Sequence, residues 1–380
     1  MRKNHSRLVF VCFAPARIND CTMLSPPALS PDTPRISVII PVFNGGDGFA
    51  QCLEAIDAAT PRPDQILVVD DGSTDRSASL AREKGFHVLS TAGRTGPAEA
   101  RNIGARHAIG EVLFFVDADC SVRPDVIGCV RSLLEDHPTI DAFVGSYDDA
   151  PTAKNLLSQY KNLLHHFTHQ MSAHDGYTFW GACGVIRREA FQQMGGFDRT
   201  YTQASIEDIE LGYRLKAAGK KILMCPELQV THHKRWSPLK LLKTDLFLRA
   251  IPWSRLILKT GEMADSLNIS RVARLRVALS GLIPMSLVLA IFFPPILWIT
   301  LALVVLLLVA DGHVLSWLYR KRGLGFTLAI LPWHWFSHFY SGVGFALAIM
   351  MHMWEGLPTR RLQSMASSIA EPAVESASPR

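Results

Sequence analysis

The chain has 380 residues, of which 48% are hydrophobic and 19% charged, and a formal net charge of +5. This length admits two domains or one domain with an appendage. The apolar content excludes a disordered protein, and basic residues spread through both halves exclude the basic stripe of a nucleic-acid binder. A mean hydropathy of +0.14 is high for a soluble enzyme and favours a membrane surface. The seven cysteines are scattered and form no C-x-x-C pair, so they read as reduced thiols facing the cytosol.

Residues 1–34 end in "SPPALSPDTP", a Ser/Pro-rich run unfit for a helix or sheet interior, and are expected to form a disordered leader and linker. The stretch before it imitates an export signal, but its apolar core is too short. Met23 offers a second start. From Arg35 short apolar runs alternate with amphipathic stretches. "ISVIIP" reads as a strand and "FAQCLEAIDAA" as a helix. "QILVVD" is the next strand and "STDRSASLAREKG" a capped helix. "FHVLS" is a third strand, "PAEARNIGARHAIG" a helix opened by proline, and "VLFFVD" a fourth strand. Continuous apolar strands separated by helices predict an α/β fold with a mostly parallel sheet covered on both faces. Ligands bind such sheets at the carboxyl ends of the strands.

Four loops fall on that edge. "PVFNGG" follows the first strand, "VVDDGSTD" ends the second, "GRTGPAEARNIGA" opens the third helix, and "FFVDADC" ends the fourth strand. Asp70 or Asp71 can accept hydrogen bonds from a nucleotide's base or ribose, with Gly72 and Ser73 letting the backbone turn close by. The blander alternative is a strand-to-helix turn capped by Ser73, Thr74 or Asp75. Arg101 and Asn102, in the first turns of their helix, can face a pyrophosphate. Asp117 and Asp119, two residues apart, offer a hard-oxygen site for Mg²⁺ or Mn²⁺ held against a substrate's phosphates.

The C-terminal third changes character. "SPLKLLKTDLFLRAIPWSRLILK" interleaves Leu, Phe and Trp with Lys and Arg, so 237–262 is expected to be an amphipathic interfacial region. Residues 275–354 hold two to four transmembrane segments. The first two are each long enough to cross a bilayer and break at Pro294-Pro295 as a hairpin. Arg271, Arg274 and Arg276 before the hairpin, and Arg320, Lys321 and Arg322 after it, place both ends on the cytoplasmic side. The third segment reads as one tilted span or a re-entrant pair. Asp311, His313, His334 and His338 lie inside apolar segments, where ionisable groups point to function. The tail 359–380 is biased toward Ser and Ala and is expected to be disordered.

In their order and spacing, "PVFNGG", "VVDDGSTD", "GPAEARNIGA", "FFVDADC", "GACGVIRREAFQQMGGFD" and "EDIELGYRLKAAGK" resemble the inverting, nucleotide-sugar-dependent glycosyltransferases of family 2, which have the GT-A fold. The likeness covers about residues 35–235, giving a GT-A catalytic domain over 35–236. The membrane segments resemble those of members acting on lipid-linked or envelope glycans. The resemblance implies that Asp70 and Asp71 bind the nucleoside and that Pro41, Phe43 and Asn44 shape the base pocket. Asp119 would be the main metal ligand, with Asp117 on ribose or metal and His232 or His233, His233 being preferred, completing the metal sphere. Lys234, Arg235 and Trp236 would close over the diphosphate. "TFWGACGVIRREAF" would be an acceptor-facing loop and helix, with Trp180 stacking on a sugar and Gly181, Ala182 and Cys183 keeping backbone near the donor. Asp208 would be the general base, and Glu207 would orient it or bind acceptor.

Together these imply a nucleotide-sugar donor, a lipid-linked or glycan acceptor, a divalent Mg²⁺ or Mn²⁺ cofactor and a multi-pass inner-membrane protein with its catalytic domain in the cytoplasm. The chain lacks the Q-x-x-R-W signature of processive synthases, so single-residue transfer is expected. Rival readings are a non-catalytic membrane scaffold with a degenerate domain, and a haloacid-dehalogenase-like phosphatase.

Overall fold

A computed structural model describes residues 33–369 apart from Ala173 and Ser266, with side chains described up to Trp354. Almost all of the expected leader, including Cys12, Cys21 and Met23, and the end of the expected tail lie outside the described residues. The strands are β1 Ile36–Val42, β2 Gln65–Asp70, β3 His87–Ser90, β4 Val112–Val116, β5 Cys120–Val122, β6 Ala142–Tyr147, β7 Cys183–Arg187 and β8 Ile222–His232. Helices α1 Gly46–Asp57, α2 Ser77–Glu83, α3 Pro97–His107, α4 Val126–Asp136, α5 Leu156–Gln170, α6 Arg188–Gln193 and α7 Glu207–Ala217 lie between them.

Among the described residues these strands form one sheet in the order β3-β2-β1-β4-β7-β6-β8-β5. The four strands expected from the sequence pair in parallel, β3 on β2, β2 on β1 and β1 on β4. Beyond them the sheet is mixed. Strand β7 runs antiparallel to β4 and β6, and β8 runs parallel to β6 but antiparallel to β5. Every residue of β1 and β4 is buried because both sheet faces are covered. Val38, Ile40 and Phe114 meet Phe49, Leu53 and Ile56 of α1 and Ile127 of α4 on one face. Ile39, Leu113 and Phe115 meet Ala98 and Ala105 of α3 and Leu211 and Leu215 of α7 on the other.

The segment "GACGVIRREAF", expected as loop and helix, corrects to strand β7 followed by the short α6. Its alternation of Cys183, Val185 and Arg187 with Gly184 and Ile186 is a strand pattern, and Gly184 permits the close approach of Trp180 O and the Phe179 ring.

After the sheet come α8 Pro238–Asp245, a wide-turn stretch Leu246–Ala250 and α9 Ile251–Thr260. Leu241, Trp253 and Ile257 bury their side chains against the rest of the chain, while Leu239 and Phe247 stay exposed. Then α10 Arg271–Phe292 and α11 Ile296–Ile369 pack as a hairpin around Pro294-Pro295. Gly323, at φ 81° and ψ 175°, breaks α11 in two, a conformation open to glycine without cost. The apolar stretch after it is one continuous helix with no re-entrant break. Helix α11 continues to Ile369, past Thr359 where the tail is expected to begin.

Two helical stretches, Arg271–Phe292 and Ile296–Trp354, are long and apolar enough to cross a membrane. Their outer faces expose Ile291, Phe292, Trp298, Val309 and Trp354. Buried polar ties fix them to the α/β domain. Lys161 on α5 places Nζ 2.8 Å from both oxygens of Asp245, whose Oδ2 also accepts from the Tyr340 hydroxyl of α11 at 2.9 Å. Near the Gly323 break, Arg322 donates to Asp149 O at 2.7 Å and to Gln159 Oε1 at 3.1 Å.

Candidate active site

Strands β1, β2 and β4 end on the same edge of the sheet, and their loops hold the polar residues singled out from the sequence. Asp71 follows β2 with a carboxylate that is fully engaged. Oδ1 accepts from Thr95 N at 2.7 Å, Thr95 Oγ1 at 2.8 Å and Thr91 Oγ1 at 3.1 Å, and Oδ2 accepts from Gly96 N at 2.8 Å. Asp70 accepts from Ser73 N at 3.0 Å and closes its own turn. Gly96 has φ 99°, and a Cβ there would lie 2.5 Å from Thr202 O, so only glycine lets this loop reach the 200–205 segment. Asn44, in the left-handed region at φ 51°, ties the first loop to the second by accepting from Thr74 N at 2.8 Å and Asp75 N at 3.2 Å. Phe43 is exposed, and the Arg94 guanidinium sits 4.2 Å from its ring centroid, making a shelf open to solvent. Pro41 is buried within β1 opposite Val69 and supports the shelf from below.

The two aspartates of "DADC" diverge. Both lie after β4, in the turn to β5, so the strand alternation that would give residues two apart a common face does not hold for them. Asp117 Oδ1 receives Arg101 Nη2 at 2.6 Å, and Arg101 Nη1 reaches Glu207 Oε1 at 2.8 Å. Arg101 and Glu207 are both almost fully buried. This corrects two expectations: Arg101 is clamped between carboxylates instead of facing a pyrophosphate, and Glu207 is the far end of that clamp, also accepting from Ser205 N at 2.8 Å. Asn102 is likewise spent on architecture, exchanging hydrogen bonds with the backbone N and O of Phe197 at 2.9 and 2.8 Å.

Asp119 stands apart, about one-third exposed, with Lys234 Nζ and His232 Nε2 each 3.6 Å from its Oδ2. Burial disfavours its charge, but Lys234 and His232 outweigh burial and hold the carboxyl well below its ordinary range. The imidazole beside Asp119 belongs to His232, stacked on Tyr147 with centroids 4.3 Å apart. The two ring nitrogens of His233 face Ser121 Oγ at 2.7 Å and Thr152 Oγ1 at 3.2 Å. His233, just past the end of β8, meets Asp119 through its backbone, donating its N–H to Asp119 O at 2.9 Å. Trp236 is buried in the cluster with Tyr160 and Leu318, away from any closing role.

Asp208 opens α7. Its Oδ2 accepts the Gly181 N–H at 2.9 Å and its Oδ1 the Ile209 N–H at 2.8 Å. Desolvation, with a contribution from Glu207, raises its pKa to about 7, against the partial offset of those N–H donors. Gly181 is required there, since a Cβ would lie 2.9 Å from the Arg101 guanidinium. Trp180 lies against Tyr147 and His169 with ring centroids at 4.7 and 4.9 Å. Ala182 and Cys183, expected on the acceptor side, are buried at the start of β7 and face the sheet interior.

Asp208 and Trp180 line a cavity of about 1220 Å³ that continues between α5, α9, α10 and α11. Its wall carries Lys161, Arg249, Arg274 and Arg276 among apolar side chains. Sequence reasoning missed Lys161, Asp245, Arg249 and Tyr340, which sit far apart in the chain without a local motif.

The loops after β1, β2 and β4 gather aspartates on one sheet edge, and a helix-borne carboxylate of raised pKa lies beside them. Residues 37–195 match the family described as "Glycosyl transferase family 2". Among curated relatives, "Uncharacterized glycosyltransferase YibD" of Escherichia coli is 38% identical over 109 residues, 27% of this chain and 32% of that protein. "Uncharacterized glycosyltransferase YaiP" of Escherichia coli is 29% identical over 199 residues, 49% of each chain. Validoxylamine A glucosyltransferase of Streptomyces hygroscopicus subsp. limoneus is 27% identical over 278 residues, 60% of this chain and 59% of that one. The chain thus spans less than two thirds of the length of these relatives. Among solved structures, the mannosyltransferase PcManGT of Pyrobaculum calidifontis, in complex with GDP-Man and Mn²⁺, is 19% identical with a TM-score of 0.49, covering 87% of this chain and 91% of that one.

Proposed function

We propose that the protein is a membrane-bound inverting glycosyltransferase that moves a sugar from a nucleotide-sugar to a hydroxyl of a lipid-linked or cell-envelope glycan. The observation that carries this reading is the position of Asp208. Its carboxylate, with a pKa raised to about 7, sits at the end of a cavity that runs from the sheet edge in among the apolar helices. A base near the working pH, reached through an apolar channel, suits a lipid-borne acceptor.

Asp208 takes the proton of the acceptor hydroxyl. The freed oxygen attacks the anomeric carbon from the face opposite the diphosphate, and the bond from that carbon to the diphosphate oxygen breaks with its electron pair leaving on oxygen. Inversion follows from the single displacement. The Gly181 N–H holds the carboxylate in line, and the buried Arg101 cation fixes Asp117 and Glu207 so that neither competes for the proton. The Phe43–Arg94 shelf and the loops tied by Asn44 and Asp71 would receive the nucleoside.

The donors around Asp119 fit a divalent cation. An ionised carboxylate, the His232 imidazole and open solvent on the remaining side leave room for phosphate oxygens and water. Mg²⁺ or Mn²⁺ bound there would neutralise charge on the leaving diphosphate. Lys234 Nζ, 3.6 Å from Asp119 Oδ2, lies where it can also meet that charge. The positive-inside pattern supports a cytoplasmic catalytic domain on a multi-pass inner-membrane protein.

The test is a thermal-shift panel of nucleotide-sugars with Mn²⁺ or Mg²⁺ on the detergent-purified chain, followed by transfer to polyprenyl-linked acceptors. A ligand that binds only the native state raises the melting temperature. Stabilisation by one donor class that depends on metal and on Asp119 is the expected result. No shift with any donor and no hydrolysis would refute the reading in favour of a non-catalytic scaffold.

A further inference from the structure

Three of the four ionisable residues singled out in the apolar segments come together. Asp311, His334 and His338 lie on the two halves of α11, and folding at Gly323 brings one carboxylate oxygen and two imidazole nitrogens within 4.8 Å of one another. His334 Nε2 is 3.2 Å and His338 Nε2 3.3 Å from Asp311 Oδ1. Ligand atoms about 2.0 Å from a tetrahedral zinc ion are separated by about 3.3 Å, the edge of that tetrahedron. Histidines four residues apart on a helix face the same way, the spacing by which helices present two imidazoles to zinc.

A second observation points to a ligand. His334 is 1% exposed, yet its Nε2 has no hydrogen-bond partner among the described residues, because its approach to Asp311 is off line. Its other nitrogen, Nδ1, lies 2.7 Å from the Tyr160 hydroxyl. If Nδ1–H donates to the Tyr160 oxygen, Nε2 keeps a bare lone pair in a buried site. That tautomer is the one a metal selects, with the second nitrogen oriented by an oxygen outside the coordination sphere. Trp335 Nε1 donates to Asp311 Oδ2 at 3.2 Å, which fixes the carboxylate and leaves Oδ1 to the imidazoles. Arg276 Nε also lies 2.9 Å from Oδ1, so a metal there would share that oxygen with a guanidinium anchored on Ala310 O.

We propose that Asp311, His334 and His338 form a zinc site within the membrane helices, separate from the Asp119 site. Two imidazoles and one carboxylate are the donor set of open zinc centres, with the remaining position left to water or an anionic oxygen. His334, Ser337 and His338 line the same cavity as Asp208, together with Arg274 and Arg276. The ligand class for the open position is therefore a phosphate oxygen entering that cavity.

The full chain, purified in detergent and stripped with a chelator, is titrated with Zn²⁺, desalted and assayed for bound metal, with Co²⁺ as a spectroscopic substitute. One zinc per chain and the visible band of four-coordinate Co²⁺ are expected. The zinc should persist in Asp119→Ala and be lost in Asp311→Asn and His338→Gln. Tyr160→Phe should weaken it about 10–100-fold, the usual effect of removing an outer-sphere partner of a metal-bound histidine. The proposal is overturned if the wild-type chain retains no zinc, or if folded His338→Gln binds it as tightly as wild type. If the ligand variants do not fold, the Co²⁺ spectrum of the wild-type chain decides alone, and absence of the band overturns the proposal.

Discussion

The two sides of the sheet edge differ in how far their polar groups are satisfied. On one side, Asp71 accepts from four donors, Asn102 makes two bonds to one backbone residue, and Arg101 is held by two carboxylates. On the other side, Asp208 is held by only two N–H groups and keeps a raised pKa, and Asp119 faces a lysine and a histidine at 3.6 Å. A buried polar group already committed to protein partners is architecture, since breaking it costs its desolvation. Groups with valence to spare are where a proton or an ion can be exchanged. Motif membership alone does not separate the two kinds.

The difference can be broken first at Asp208. Asp208→Asn should lower turnover by about 10²–10⁴-fold, the usual worth of a general base, with donor affinity changed only a few-fold. Single-turnover kinetics and donor titration read both quantities, and normal turnover would remove the base assignment.

On the saturated side, Arg101→Met should destabilise the fold by about 3–5 kcal/mol, because Asp117 and Glu207 would be left as uncompensated charges, one of them deeply buried. Denaturant unfolding of the wild-type and variant chains measures it. Asp71→Ala should cost less, about 1–3 kcal/mol, and loosen residues 91–96. Faster amide exchange confined to that loop is its signature.

A pH profile sharpens the comparison. The Asp208 carboxyl, with a folded pKa raised to about 7, is neutral below that pH and ionised above it. kcat/KM should rise with pH up to about 7 and then level off. Stability should move the other way, falling as pH rises through 7, because ionising this desolvated group beside Glu207 is unfavourable only in the fold. Asp208→Asn should abolish that fall. The smallest effect is expected at the exposed shelf. Arg94→Gln removes a cation over the Phe43 ring worth about 0.5–1 kcal/mol, read as a few-fold loss of donor affinity.

How much was legible follows from what kind of signal each part carries. Strands β1 to β4 and helices α1 to α3 write their burial into the local sequence as apolar runs and helical spacing. Strand β7 was missed because "GACGVIR" resembles a glycine-rich loop until β4 and β6 are placed on either side of it. Asp208, Asp119 and Trp180 are recognisable by residue type and spacing. The roles of Arg101 and Asn102 are not, because whether a guanidinium faces solvent or two carboxylates depends on residues 16 and 106 positions away.

The sequence by itself determined the parallel strands β1 to β4, the location of the polar loops on their carboxyl edge and the apolar helices that follow, because each depends on neighbours close along the chain. Only the tertiary structure decided that the His232 imidazole lies beside the Asp119 carboxylate, that the cavity beside Asp208 extends among the apolar helices, and that Asp311 meets His334 and His338. Those outcomes rest on distances between segments brought together by folding, which local spacing cannot encode.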